Sequence, residues 1–214
     1  MDLAEMRRTY GLGELLEDQM ASDPIKQFEI WLQQAREAGL AEPNAMVLAT
    51  ADGNGRPSAR TVLLKRVDER GFVFYTNQQS RKADDLSDNP HCALVFPWHA
   101  MERQVRIEGT VTKLPTDEVD EYFASRPRES QLGAWASQQS QSVASREELD
   151  LQYASYERQW PEGTEISTPY FWGGYLVAPE AVEFWQGRVG RLHDRLAYRR
   201  PASSGSWDLV RLQP

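Results

Sequence analysis

Three residues late in the chain carry its densest chemistry. In the run Glu183-Phe184-Trp185-Gln186-Gly187-Arg188-Val189-Gly190-Arg191-Leu192-His193-Asp194-Arg195, the side chains of Arg191, His193 and Arg195 alternate. Read as a β-strand, the period of two puts all three on one face. Like charges on one face repel, so such a row asks for an anion, and Trp185 just upstream could lie against a flat ring. An anionic, aromatic ligand follows. His193, between two arginines, is the best general acid/base candidate. A lone histidine is more often a structural strand residue paired with a neighbour such as Asp194 or with a backbone carbonyl, but the Arg-Leu-His-Asp-Arg context favours the functional reading.

Further cations fall where a phosphate could sit. Tyr75-Thr76-Asn77-Gln78-Gln79-Ser80-Arg81-Lys82 reads as a strand running into a helix N-terminus. Free N–H groups and the helix dipole favour a phosphate there. Arg81 and Lys82 oppose that dipole, and a bound phosphate would account for them; taken alone, a solvated helix start accounts for the stretch equally well. Arg60-Thr61-Val62-Leu63-Leu64-Lys65 lies on a strand and by itself reads as a charged edge. Arg60 and Lys65 fall on opposite faces of a regular strand, so either a bulge intervenes or the two reach different parts of a ligand. Tyr122, Arg126 and Ser130 recur every four residues, and the first two share a helical face, although an arginine near a helix C-terminus is favourable in any case. Gln104 on a strand, and Gln139-Ser140 in a polar loop, are weak by themselves.

The elements that must carry these residues are mostly short strands. Residues 1–22 read as a mobile polar arm. Asp23-Pro24 opens a helix with Phe28, Trp31, Leu32 and Ala35 at helical spacing, ended by Gly39. Strands are expected at 45–50, 58–67 and 72–76, joined by turns at Asp52-Gly53-Asn54-Gly55 and Asp68-Glu69-Arg70-Gly71. Ser80 caps a short helix stopped by Asn89-Pro90. Strands at 92–97 and 104–114 precede a helix capped by Thr116 and running to about Arg126, where Pro127 interrupts it. A short helix at 131–136 follows, then a helix opened by the capping box Ser145-Arg146-Glu147-Glu148. The last strands are expected at 170–177, 182–186, 192–198 and 207–212. The pattern predicts a mainly β protein with helical excursions (α+β), an antiparallel barrel in one domain over 23–214.

Composition narrows the function classes. A net charge of −8 in 214 residues argues against a nucleic-acid binder, whose surface needs broad positive charge. The 7 Trp, 8 Tyr and 7 Phe can fill a sizeable core. Cys92 is the only cysteine, so no intramolecular disulfide forms, which fits a reducing cytoplasm. The first residues lack an apolar signal core, and no run of about 18 apolar residues exists to span a membrane. His91, His99 and His193 have no metal-ligand spacing, so no metal is expected.

Joined in order, these pieces resemble the pyridoxine/pyridoxamine 5′-phosphate oxidase family. The resemblance is carried by Arg60-Thr61-Val62-Leu63-Leu64-Lys65, Phe74-Tyr75-Thr76-Asn77, Ser80-Arg81-Lys82, Phe96-Pro97-Trp98, Glu102-Arg103-Gln104-Val105, the run from Ser125 to Trp135, Phe171-Trp172-Gly173-Gly174, and Glu183 to Gly187 with Arg191 to Arg195. It implies an antiparallel split β-barrel of the FMN-binding type and a homodimer with two FMN sites at the subunit interface. It implies FMN contacts from Arg60, Thr61, Val62, Leu63, Leu64, Lys65, Tyr75, Thr76, Arg81, Lys82, Gln104, Gln139, Ser140, Trp185 and Arg195. It implies substrate contacts from Lys65, Tyr122, Arg126, Ser130, Arg191 and His193, with Arg7 and Tyr10 closing over the substrate from the arm. Arg191 and His193 would be the catalytic pair beside C4′, positioning it and stabilising developing charge, since an arginine is a poor base.

The implied reaction moves a hydride from C4′ of pyridoxine or pyridoxamine 5′-phosphate to FMN, with O2 as the final acceptor and hydrogen peroxide and pyridoxal 5′-phosphate as products. One rival is a related split-barrel flavin oxidase of the phenazine-biosynthesis type, which resembles this chain poorly across the phosphate-binding helix. Another is a non-catalytic FMN- or pyridoxal-phosphate-binding protein.

Overall fold

The computed structural model describes residues 3–6, 9–200 and 205–214. In chain order the elements are α1 (Pro24–Glu37), β1 (Ala45–Ala51), β2 (Pro57–Leu63), β3 (Arg66–Asp68), β4 (Gly71–Asn77), α2 (Arg81–Asp88), β5 (His91–Trp98) and β6 (Arg103–Lys113). They continue with α3 (Thr116–Ala124), α4 (Arg128–Ala136), α5 (Arg146–Gln159), β7 (Trp172–Gln186), β8 (Asp194–Arg199) and β9 (Asp208–Arg211). The strands form one antiparallel sheet in the order β2-β1-β5-β6-β7-β4-β3, with β8 and β9 continuing from β7. The sheet curls into a half-barrel, and the helices hang outside its ladder, as the strand spacing predicts.

Three expected strands turn out differently. The run from 58 to 67 breaks at Leu64 and Lys65, so that β2 pairs with β1 while β3 pairs with β4 at the far margin of the sheet. Backbone bonds fix the crossover: Leu64 N–H donates to the Asn44 carbonyl (2.9 Å) and Lys65 N–H to that of Val73 (2.9 Å). Conversely, the two strands expected at 170–177 and 182–186 are one, β7. Its pairing with β6 slips at Glu108/Gly109, so Glu180 is an extra residue and the strand bends rather than ends. This bend lets the first half of β7 pair with β4 and the second half with β8.

The expected caps are partly displaced. Asp23 caps α1 with its carboxylate, and Ser145 caps α5 by accepting from Glu148 N–H. Ser80 stands at the N-cap of α2, but its hydroxyl donates to the Asn77 carbonyl (2.6 Å) instead of capping. Thr116 is the first helical residue of α3, after Pro115 at the cap.

Helix α1 fills the concave side of the sheet. Phe28 is fully buried and meets Phe72 edge-on (5.0 Å between centroids) and Phe96 (4.8 Å). Trp31 meets Phe184 edge-on at 5.1 Å. A second cluster lies on the other side of β4, where Val73 and Trp172 pack against Val119 and Phe123 of α3 and Leu132 of α4. β4 is therefore covered on both faces, which explains its unbroken apolar run rather than an alternation.

The described part of the arm is bonded to the sheet. Gly11 and Leu12 N–H donate to the Glu102 carboxylate, and Leu15 N–H donates to that of Asp194. No helix among the described residues is long and apolar enough to cross a membrane.

Because Phe28 joins the helix to two strands at once, Phe28→Ala removes a fully enclosed ring. It should lower unfolding free energy by about 3–5 kcal/mol, read as a fall in the denaturant midpoint at unchanged slope.

Candidate functional site

The break at Leu64 and Lys65 creates the site. Where the chain crosses from β2 to β3 it lines a cavity of about 660 Å³, closed on the other sides by the end of β4, the start of α2 and the helices α3 and α4. That volume falls within the ~300–1,000 Å³ usual for small-molecule and cofactor sites. Arg60, Thr61, Val62, Leu63, Lys65, Tyr75, Thr76, Lys82, Tyr122, Arg126, Ser130 and Gln139 all line it. The strand break resolves the parity conflict between Arg60 and Lys65, since the two no longer belong to one regular strand and both reach the cavity.

One group of lining residues gathers around Lys82. Its ammonium, buried beside the α2 N-terminus, donates to Thr76 Oγ1 (3.0 Å), Ser80 Oγ (3.1 Å) and Gln139 Oε1 (2.5 Å). None of these is an anion. Burial, with the neighbouring Arg60 charge adding to it, holds the Lys82 pKa down at about 8. Arg60 is fixed by Thr50 Oγ1 (2.7 Å), Ser58 Oγ (2.7 Å) and the Leu48 carbonyl (3.2 Å), and Asp85 approaches at 3.7 Å. Thr50 in turn donates to Asp85 (2.6 Å), so β1 and α2 together orient the guanidinium. Burial lowers the Arg60 pKa, and Asp85 opposes that shift.

A second group gathers around Arg126. Its guanidinium lies over Trp172 (4.8 Å to the ring) and Phe123 (5.4 Å). Burial lowers its pKa, and its Nη1 is buried without a hydrogen-bond partner. A buried, unpaired N–H is expensive unless a ligand answers it. Beside Arg126 runs an aromatic stack: Tyr75 lies flat on Tyr122 (4.0 Å, 16°) and on Trp172 (5.2 Å, 6°). Helix α3 is clamped to the β3–β4 turn by Glu118, which pairs with Arg66 and with Arg70 (2.9 Å). Those hydrogen bonds, that of Arg70 foremost, hold the Glu118 carboxyl at about 2. The cavity can thus take two anionic groups at separate places with a flat ring system near the stack.

The remaining expected residues stand elsewhere. Leu64 sends its side chain into the core. Arg81 is exposed, and its backbone N–H donates to Ser140 Oγ (3.2 Å). Gln104, Trp185 and Arg195 form one row across β6, β7 and β8, in register with one another. They lie on the sheet face opposite Val105, Phe184 and Leu196, which point into the core. Arg7 lies outside the described residues.

The alternating row of Arg191, His193 and Arg195 is not a strand. β7 ends at Gln186, a 3-10 turn covers Val189–Arg191, and β8 begins at Asp194. Gly190 (φ 70) and Arg191 (φ 63) both take left-handed backbone, which destroys the period of two. Arg191 is exposed in the turn. His193 Nδ1 accepts the Arg188 N–H (3.1 Å), so in the neutral ring the proton sits on Nε2. The His193 ring contacts Trp185 (4.7 Å) and Tyr10 (5.6 Å). Arg195 grips Glu183 through two bonds (2.8 and 3.0 Å) and donates to the Gln213 carbonyl (2.8 Å). Three of its five N–H donors are engaged on that count, leaving two.

Several residues were not singled out for the site from sequence. Trp172 was visible only within its motif, whereas Asp85 and Glu118 carry no local signal because their partners are distant in the chain.

Residues 32–159 match the family described as Pyridoxamine 5′-phosphate oxidase, and residues 172–214 match the Pyridoxine 5′-phosphate oxidase C-terminal dimerisation region. The Pyridoxine/pyridoxamine 5′-phosphate oxidase of Salinibacter ruber is 56% identical over 99% of each chain. That of Rubrobacter xylanophilus is 58% identical, over 100% of this chain and 97% of the relative. PhzG from Burkholderia lata 383, solved in complex with tetrahydrophenazine-1-carboxylic acid, aligns with a TM-score of 0.88 at 31% identity, covering 95% of this chain and 100% of that one. A pyridoxamine 5′-phosphate oxidase-related, FMN binding protein from Nostoc punctiforme agrees in fold, with a TM-score of 0.72 at 18% identity, covering 91% of this chain and 100% of that one.

The depressed Lys82 pKa sets a pH dependence. A phosphate favours the charged ammonium, so binding takes up a proton once the free protein has lost it, above pH about 8. Affinity for a phosphate monoester such as riboflavin 5′-phosphate should be flat from about pH 7, where the phosphate is already the dianion, up to that pH, and fall by up to about tenfold per unit above it. Fluorescence titration across that range checks this, and Lys82→Met should bind more weakly with the slope reduced.

Proposed function

Because the chain belongs to the pyridoxamine 5′-phosphate oxidase family, we propose that it oxidises pyridoxine and pyridoxamine 5′-phosphates to pyridoxal 5′-phosphate, with FMN as cofactor and O2 as acceptor. The observation that carries this reading is that one cavity holds two cationic groups, one around Lys82 and one around Arg126, together with an aromatic stack. A cofactor phosphate suits the first, where Arg60 and the α2 N-terminus lie beside Lys82. The substrate phosphate suits the second, where the unpaired Arg126 N–H stands with Lys65, Tyr122 and Ser130. Arg81 and Ser140 flank the first group, and Gln139 already spans Lys82 and Thr76.

When bound, FMN supplies the redox chemistry, accepting a hydride from C4′ and passing the electrons to O2 as hydrogen peroxide. The alcohol gives pyridoxal 5′-phosphate directly. The amine gives an imine, which water hydrolyses to the aldehyde and ammonia. The protein's part is orientation: Arg191 and His193 hold C4′ and stabilise charge that develops there. His193 Nε2 can hold or release the substrate's amine or alcohol proton, because Nδ1 is occupied by Arg188.

These late residues do not line the cavity of their own chain. Trp172, in the cavity, and Trp185, in the outer row, stand at opposite ends of β7. At the usual strand rise that is roughly 40 Å of chain. A second copy presenting its Gln104–Trp185–Arg195 row and His193 to this cavity completes the site, which accords with the match of residues 172–214 to a dimerisation region. We therefore read the protein as a homodimer with FMN at the interface.

The phenazine-type reading draws on the PhzG likeness at 31% identity. The relatives at 56% and 58% identity, together with the phosphate-suited Tyr122–Arg126–Ser130 group, favour the vitamin B6 substrate.

The purified, FMN-loaded protein should bleach anaerobically on addition of pyridoxamine 5′-phosphate and regain its yellow colour with O2; a flavin spectrum unmoved by either vitamer phosphate would overturn the reading. Arg126→Ala should raise the KM for the vitamer phosphate by about 10- to 100-fold at unchanged flavin content. Arg195→Ala should weaken flavin retention more than Arg191→Ala, measured by fluorescence titration, and equal affinities would contradict the division of roles.

A further inference from the structure

Glu102 sits at the entrance to β6 with left-handed backbone (φ 54, ψ 37), an uncommon conformation for a residue other than glycine. Its carboxylate Oε2 accepts two successive backbone N–H groups of the arm, from Gly11 (2.7 Å) and Leu12 (3.0 Å). Its carbonyl accepts Gly187 N–H (2.7 Å) and the Gln186 side-chain amide (3.2 Å). One residue therefore joins the arm to the end of β7.

The arm residue next to those two N–H groups is Tyr10. Its ring meets Trp185 edge-on (5.8 Å) and His193 edge-on (5.6 Å). The fit beneath it is close: a Cβ on Gly187 would stand 2.9 Å from Tyr10 Cγ and 3.1 Å from Glu102 Cβ. Beyond Leu12 the arm is held a second time, where Leu15 N–H donates to Asp194 and Arg211 donates to the Leu15 carbonyl (2.8 Å). Glu14 also pairs with Arg188 (3.1 Å) and Glu17 with Arg211 (2.7 Å), so the strap has several fastenings, and the one nearest Tyr10 is Glu102.

We infer that Glu102 is a positioning residue, whose carboxylate fixes the Gly11–Leu12 strap and so sets Tyr10 against His193 and Trp185. A charged acceptor holds two converging N–H groups more firmly than a neutral one, and the left-handed turn at Glu102 lets the same residue support Gly187 from below. Strained backbone that persists at such a junction is the expected mark of a functional constraint. The consequence for turnover rests on the oxidase reading above, because it assigns His193 and Tyr10 to the substrate.

Two measurements on the FMN-loaded protein test this. In Glu102→Ala, hydrogen exchange at the Gly11 and Leu12 amides should rise at least about tenfold. The KM for pyridoxine 5′-phosphate should rise about tenfold, kcat should stay within about twofold, and Tyr10→Ala should add no further loss in the double variant. Glu102→Gln, which keeps an acceptor oxygen, should recover most of the KM. Unchanged exchange at those two amides, or losses that add in the double variant, overturns the inference. Absence of turnover in the unmodified protein overturns the oxidase reading instead, and the exchange measurement then decides the role of Glu102 alone.

Discussion

The chain passes once from one margin of the sheet to the other, at Leu64 and Lys65, and the site depends on that passage. The crossover is short, and its backbone is bonded to Asn44 on one side and Val73 on the other. It therefore curls the sheet and leaves a gap between β2 and β3 that no side chain of the core fills. Arg60 stands on the near side of the gap and Lys65 within it, so the same two-residue break both shapes the cavity and delivers cations to it. Had the strand run through to Val67, alternation would have sent one of the two away.

Charge is handled differently at each place. Outside the cavity, several arginines of this acidic chain meet carboxylates: Arg70 meets Asp68 and Glu118, Arg195 meets Glu183, and Arg211 meets Glu17 and Asp194. In the cavity the pattern lapses. Lys82 has only neutral oxygens around it, and Arg126 has two rings and an unpaired N–H. Desolvating a cation without a counter-ion is unfavourable, so the protein gives up some stability to keep these groups free for an anion. Arg60 is the intermediate case, with Asp85 near enough to orient it and too distant to neutralise it in a direct bond.

Much of this was legible in the sequence, for physical reasons. Short strands, turn residues and helix caps are local, so the elements and the mainly β, antiparallel fold with helical excursions followed from them. Lys82 stood out as a cation in the first turn of a helix, and Tyr122, Arg126 and Ser130 as a set four apart, but each stretch alone reads equally well or better as solvated surface; the family resemblance is what joins them into one site. The late row was misread because periodicity assumes extended backbone, and Gly190 and Arg191 turn the chain left-handed between two strands. Gly190 was the available warning. Pro179-Glu180 looked like a strand boundary, but the neighbouring ladder carries β7 through it as a bulge. Asp85 and Glu118 escaped notice, and Glu102 was visible only within its motif, because each acts on a residue far off in sequence, and nothing local marks an acid that serves as a distant anchor.

The long span of β7 has a genetic corollary on the two-copy reading. Each chain carries the cavity near one end of that strand and the partner-facing row near the other, so every pair of chains holds two composite centres. A lesion in the cavity of one chain and a lesion in the outer row of its mate would fall on the same centre and spare the other. Two individually inactive alleles could then rescue each other when mixed subunits form, retaining one working centre in each mixed pair.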